Sequence, residues 1–212
     1  MKLFAHRTVK RLTQAIINAD LLLLKKQLHK VDAAQLDMPL PDTPFGAISA
    51  VELAIRYQHP KVLSQLCSAG ANPNLADSRQ QPMLYLALQQ PQQSLALVSA
   101  LLQAGHALKR ISADNLPQTP LLACFTYCAD STLMLHLGRL LEHGADIDQP
   151  DHNGRTPLQQ ALRREQPALV QFMVQSGAKV TKNLSADGYS QEITDCALRC
   201  AEDLRIRKMM MG

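Results

Sequence analysis

Four stretches of the chain carry the same arrangement of apolar and polar positions. Each ends on a glycine, at Gly70, Gly105, Gly144 and Gly177, and the steps between them are 35, 39 and 33 residues. Counting back from each glycine, four positions recur as apolar: Val62, Leu63, Leu66 and Cys67; Leu97, Val98, Leu101 and Leu102; His136, Leu137, Leu140 and Leu141; and Leu169, Val170, Met173 and Val174. His136 is the departure from the pattern. Offsets of one, four and five residues put these side chains on one face of a helix. The glycine then stands where a left-handed residue ends that helix. Self-similarity at such a period marks a chain built from stacked copies of one small unit.

A shorter helix precedes each long one. The segments DNLPQTPLLACF (114–125) and DHNGRTPLQQAL (151–162) place Thr119 and Thr156 where each can cap a helix that begins on Pro120 or Pro157. Proline fits that first position because its missing N–H had no intrahelical partner to lose. Proline returns at the start of the following helix as Pro60, Pro91 and Pro167. Each unit therefore reads as a turn, a short helix, a tight corner and a longer helix.

These residues resemble the ankyrin repeat. Asp151, Gly154, Thr156, Pro157, Leu158 and Ala161 match the D-x-x-G-x-T-P-L-x-x-A pattern, and Gly177-Ala178 closes that unit. The unit before it keeps Asp114, Thr119, Pro120 and Leu121, with Cys124 in place of the alanine and Pro117 in place of the first glycine. The unit ending at Gly70 keeps Ala54, with Ser49 and Ala50 for the Thr-Pro pair; the unit ending at Gly105 keeps Asp77, Leu84 and Ala87, with Pro82-Met83. The units ending at Gly105 and Gly144 carry two and four extra residues, which predicts lengthened corners or helices.

The resemblance implies an all-α ankyrin-repeat solenoid of stacked helix-turn-helix units, capped by helices at both ends. It spans residues 1–212 as one domain. Residues 1–44 form the N-terminal cap helices and a partial repeat, 45–76, 77–113, 114–150 and 151–182 the repeats, and 183–212 the C-terminal cap helix and tail. In the N-terminal cap, residues 3–18 are expected as the short helix, with Ala15 at the alanine position, and 20–30 as its longer partner. The C-terminal segment after Gly177 begins like another turn and runs on as one amphipathic helix, with a frayed end at Met209, Met210, Met211 and Gly212, or alternatively a hydrophobic docking tail. Its higher charge suits the polar outer face that a terminal unit needs.

Composition agrees with an all-α chain. Leucine occurs 35 times and alanine 26, against 16 for valine and isoleucine together, so unbranched helix formers dominate. The 46% hydrophobic fraction excludes a disordered chain. The longest apolar run, Met83 to Leu88, is six residues, too short to cross a bilayer. His6, Arg7, Lys10 and Arg11 interrupt any secretory signal, and five cysteines form no disulfide framework. A reducing cytoplasm is the expected location, while export by a route without a cleavable signal stays open.

The resemblance also implies a protein-binding module, an adaptor or inhibitor that holds another protein on its concave face. Turn tips and the exposed ends of the shorter helices are where such scaffolds bind. The tips are Ser78 and Arg79, Asn115 and Leu116, and His152, Asn153 and Arg155. The positions two and three after the alanine slot are Arg56 and Tyr57, Gln89 and Gln90, Thr126 and Tyr127, and Arg163 and Arg164. Tyrosine and arginine are enriched at binding hot spots; the alternative reading is that these are ordinary solvated helix ends. A second function class is binding of nucleic acid or an anionic surface by the basic terminal helices, through Lys2, Arg7, Lys10 and Arg11 or through Arg205, Arg207 and Lys208. The net charge of +4, without a block of like charges, argues against nucleic acid.

Other constellations have plainer readings. Cys124/Cys128 and Cys196/Cys200 are each four apart and could supply two metal ligands, but core cysteine is the simpler account. His136 reads as a partly buried core residue, and His106, His143 and His152 as solvent-exposed turn residues. Asp146 and Asp148 lie in a turn. With no G-x-S-x-G, phosphate loop or H-E-x-x-H present, the sequence implies no enzyme, no cofactor, no metal and no small-molecule substrate. A monomer is expected.

Overall fold

The computed structural model describes residues 2–108, 118–181 and 188–211, with side chains from Arg7 onward. Expectations at Asp114, Asn115, Leu116 and Pro117, and for the side chain of Lys2, lie outside the described residues. Among those described the structure is all-α; two isolated bridges, Leu40 to Ile48 and Ala76 to Pro82, pinch turns together. The chain divides into two compact units, Met1–Ala107 and Leu108–Gly212.

In the first unit α1 (Lys2–Ile17), α2 (Leu21–Leu28) and the single turn α3 (Ala33–Asp37) lead into two helix pairs. These are α4 (Ala50–Arg56) with α5 (Pro60–Ser68), and α6 (Met83–Leu88) with α7 (Ser94–Gln103). First helices pack on first helices and second on second: α1 on α4 on α6, and α2 on α5 on α7. In the second unit α8 (Pro120–Tyr127) pairs with α9 (Asp130–Glu142) and α10 (Pro157–Arg163) with α11 (Pro167–Gln175), and the first helix α10 packs on the first helix α8. The long α12 (Gln191–Met211) covers α11 with Ile193, Thr194 and Ala197 buried.

The sequence pattern accounts for the core. The alanine slot, Ala15, Ala54, Ala87, Cys124 and Ala161, is sealed from solvent, because stacked first helices approach closely there. The apolar stripe of the second helices is buried apart from Cys67 and Leu141, which are half-exposed. His136 also is fully buried, so it belongs to the core outright.

The second helices of the four repeats, α5, α7, α9 and α11, end in the same way. The N–H after the repeat glycine reaches back to the helix: Ala71 to Leu66, His106 to Leu101, Ala145 to Leu140 and Ala178 to Met173, at 3.0–3.1 Å. That is the Schellman closure, which needs positive φ at the glycine. At Gly70 a second constraint applies, since a Cβ would sit 2.9 Å from the Cβ of Ala33.

Several expectations need correction. The N-terminal cap has its helices in the opposite order of length, α1 with 16 residues and α2 with 8. Met209 to Met211 continue α12 as helix, although they are highly exposed. Pro60 and Pro167 begin their helices, whereas Pro91 lies in the corner before Ser94. Thr156 caps α10 through a full capping box, and Ser49 caps α4. Thr119 occupies the cap position of α8 without making the side-chain bond. The four extra residues of the unit ending at Gly144 all enter the second helix: α9 has 13 residues where α5 and α11 have 9.

Candidate functional site

The ends of the first helices present the residues singled out from sequence, and packing divides them into two kinds. Arg56 leaves α4 held by Glu52, with Nε and Nη2 at 2.9 and 2.7 Å from the same carboxylate oxygen. Its guanidinium lies 5.0 Å from the Phe45 ring centre and donates to Ser78 Oγ at 3.2 Å. Tyr57 packs edge-on to Phe45 and stacks on His59. Arg164 is also committed: it donates to Asp130 and to the Phe125 carbonyl and covers the Phe125 ring at 5.4 Å.

The other kind is open. Tyr127 is 41% exposed at the end of α8 and Arg163 is exposed at the end of α10, the helix packed against it. Thr126 is exposed and bonds Gln118 at 3.0 Å. Gln89 and Gln90 are half-buried, and the Gln90 amide returns to the Leu86 carbonyl at 2.8 Å.

Among the described residues no group of three or more His, Cys, Asp or Glu side chains is placed to hold a metal ion. A cleft of about 550 Å³ beside α1 and α3 is lined by apolar groups such as Val9, Leu12, Val31 and Met38, with Lys30 the only charged residue on its wall. Its lining residues include no carboxylate, thiol or imidazole.

Comparison with known proteins agrees with this architecture. Residues 124–174 match the family model described as "Ankyrin repeats (many copies)". The solved ankyrin repeat domain of Bcl-3, described as a unique member of the IkappaB protein family, superposes with a TM-score of 0.60 at 26% identity. That alignment covers 80% of this chain and 72% of that one. The chain is a divergent ankyrin-repeat protein.

An ankyrin repeat domain from Acinetobacter baumannii AYE shares the fold more fully, with a TM-score of 0.65 at 23% identity over 89% of this chain and 96% of that one. A curated mouse protein, the B-cell lymphoma 3 protein homolog, is 29% identical over 162 residues, which is 74% of this chain and 34% of that protein. The chain thus spans about a third of that relative's length. Ankyrin repeats of this kind support a protein–protein interaction module. Ankyrin-repeat proteins are in general non-enzymatic. No helix among the described residues is long and apolar enough to cross a membrane.

The ankyrin tips are built by aspartates. Asp151 accepts the N–H groups of Asn153 and Arg155, each at 2.9 Å. Asp77 accepts those of Arg79 and Gln81, each at 2.8 Å. These bonds hold His152, Asn153 and Arg79 outward at exposed positions, with Arg155 half-exposed beside Asp151. In the Asp77 turn Gln80 takes φ +63°, where Gly154 takes +74° in the matching turn.

The ankyrin turns are also tied from repeat to repeat. Asn74 accepts the N–H of Ala107 at 2.8 Å, and Asp148 accepts that of Lys179 at 3.0 Å. Asp146 holds the N–H of Asp148. Both aspartates are thereby assigned to turn architecture. His106 corrects the sequence reading: it is buried, not solvent-exposed, with Nδ1 2.9 Å from the Pro73 carbonyl.

Two features escaped the sequence reading. Glu52 is buried between one repeat and the next turn, a role its place in S-A-V-E after a capping serine did not signal. Cys128 and His136 bear on each other across the corner between α8 and α9, which helps to push the thiol below its ordinary range and the imidazole above it.

Proposed function

We propose that this ankyrin-repeat protein is an adaptor or inhibitor in a reducing compartment such as the cytoplasm, binding its partner as a monomer through the concave face. The repeats are taken as 45–76, 77–113, 114–150 and 151–182, with caps at 1–44 and 183–212. The observation that carries this reading is the exposed pair of helix ends in the second unit. Tyr127 and Arg163 lie outside the core on packed helices, and neither is needed to fill it. An exposed tyrosine beside an arginine is the composition of an interface hot spot. Arg79, His152 and Asn153 extend the surface at the tips, where Asp77 and Asp151 organise the backbone beforehand and lower the entropy lost on binding. Five free thiols fit a reducing setting.

The test is affinity capture with Tyr127→Ala and Arg163→Ala combined, against the unaltered chain. Proteins held by the unaltered chain should be lost from the double variant while its melting temperature stays the same. Retention of the same proteins by the double variant sinks the assignment.

A second reading has one observation in its favour. Arg7, Lys10 and Arg11 are all exposed on α1, a helix with no acidic residue. Arg205 at the other end is engaged by Glu202 at 2.7 and 2.9 Å, which weakens that helix as an anion site. Binding of this kind would fall steeply with salt; salt-insensitive binding to anionic vesicles or nucleic acid would eliminate it.

A further inference from the structure

The turn that leads into α10 places an asparagine directly before a glycine, and of the chain's asparagines only Asn153 has that neighbour. The glycine answers to the turn. Gly154 takes φ +74°, and a Cβ there would meet nothing within 4 Å, so backbone conformation rather than crowding calls for it. The turn at Asp77 has the same frame. Gln80 takes φ +63° and its N–H bonds the Asp77 carbonyl at 2.9 Å, as the Gly154 N–H bonds that of Asp151 at 2.9 Å. Before Gln80 stands Arg79, which carries no side-chain carbonyl. The Asp151 turn instead joins this frame to a side-chain amide, and His152, Asn153 and Gly154 are all exposed to water.

We propose that Asn153 is a covalent modification site, converting spontaneously to aspartate and isoaspartate at a rate that the Asp151 clamp sets. Solvent base takes the Gly154 N–H proton, and the freed nitrogen attacks the Asn153 side-chain carbonyl carbon. The bond to the side-chain nitrogen breaks, and that nitrogen takes a proton back from solvent and leaves as ammonia, closing a succinimide ring. Water then adds to one of the two ring carbonyls and opens the C–N bond beside it. Attack at the side-chain carbonyl gives aspartate with the original backbone. Attack at the main-chain carbonyl gives isoaspartate, whose backbone runs through Cβ. One water enters and one ammonia leaves, with nothing oxidised or reduced.

Asp151 restrains the reacting bond from several sides. Its Oδ1 accepts the N–H groups of Asn153 and Arg155, each at 2.9 Å, so it grips the residue on either side of Gly154. Its carbonyl holds the Gly154 N–H, the proton that must leave. Its own N–H reaches the Arg155 carbonyl at 2.9 Å, and the Arg155 guanidinium lies 3.7 Å from its second carboxylate oxygen. Ring closure therefore waits on a local opening of the turn. The turn does not reclose as before. Isoaspartate lengthens the backbone just ahead of the Gly154 N–H, and either product sets a new carboxylate near that of Asp151. The altered charge of a tip residue matters to partner binding only on the function proposed above; the conversion itself does not rest on that reading.

Incubating the full chain at mildly alkaline pH in water enriched in heavy oxygen, followed by peptide mass mapping, tests this. Heavy oxygen should enter the peptide carrying Asn153 before any other, and faster as pH rises. The product should separate into aspartate and isoaspartate forms, the second a substrate for an isoaspartyl methyltransferase. Asn153→Gln, whose longer side chain disfavours ring closure, should take up none. Asp151→Ala should quicken uptake on the order of tenfold, since it removes two bonds to a charged acceptor; circular dichroism establishes that it is folded. The chain unfolded in urea, where no turn exists, should convert faster than the folded chain. Earlier labelling at another asparagine, aspartate without isoaspartate, or equal rates in the folded and urea-unfolded chain would overturn the proposal, as would an unchanged rate in folded Asp151→Ala.

Discussion

Glu52 holds the backbone of Ser78 from 26 positions away. One carboxylate oxygen accepts the Ser78 N–H at 2.9 Å and the other its hydroxyl at 2.7 Å, while Arg56 grips the same carboxylate from the next turn of α4. The glutamate is 2% exposed, so its charge is satisfied wholly by protein groups. The first helix of one repeat thereby fixes the turn that opens the next.

Removing that carboxylate strands a partly buried guanidinium and two donors of Ser78. Glu52→Ala should destabilise the first unit by about 3 kcal/mol, and Ser78→Ala by about 1 kcal/mol. Urea unfolding of the two single variants and the double variant would measure the coupling. Strict additivity would mean that the contact contributes nothing.

Corner strain supplies a prediction of opposite sign. Gln58 and Glu165 both take left-handed backbone, with φ +56° and +51°. Glu165→Gly should stabilise the chain by about 0.5–1 kcal/mol, since glycine adopts that region without steric cost. Gln58→Gly should gain less, because its side chain caps the N–H groups of Gln92 and Gln93 at 3.1 and 3.3 Å. Thermal unfolding of the two variants in parallel gives the order.

His106 makes stability depend on pH. Burial holds its pKa below the usual 6.5, against a partly offsetting bond to the Pro73 carbonyl. Its Nε2 is buried without a partner, so a proton there would create a charged donor with nothing to bond. The unfolded chain therefore binds more protons, and this contribution is present above pH 6.5 and lost as pH falls below it. His106→Gln should flatten the fall in unfolding free energy between about pH 6.5 and 5. An identical slope in both proteins would refute the assignment. His136, whose pKa is raised, acts in the other direction, so the comparison must be with this variant.

Neighbouring arginines should behave differently. Arg164 is tied to Asp130 and Phe125, and Arg164→Ala should cost roughly 1–2 kcal/mol and lower the melting temperature by several degrees. Arg163→Ala, at an exposed position, should leave melting unchanged and alter only binding. A melting loss in both would return Arg163 to the framework.

The same contrast shows how far the chain could be read in advance. Spacing alone marked Arg163 and Arg164 equally, as adjacent residues at the end of one helix. Their difference arises from a carbonyl 39 positions earlier in the chain, which a local pattern does not contain. His106 was misread for the same reason: its partner is the Pro73 carbonyl, 33 positions away. The lengthened unit ending at Gly144 was visible as four extra residues, but whether they entered a corner or a helix depended on how α9 packs.

What the amino-acid order determines here is local and periodic. Glycines at recurrent steps, threonine or serine before the first helices, and an apolar stripe four residues deep specify helices, their ends and their buried faces. Each of those features acts within one or two turns of chain, so each is written in neighbouring residues. Stacking decides the rest. It buries Glu52 and His106, removes Arg56 and Arg164 from the open surface, and leaves Tyr127 and Arg163 on it. Most of those outcomes turn on atoms tens of residues apart. Burial, charge and access there follow from packing, which no single repeat can specify alone.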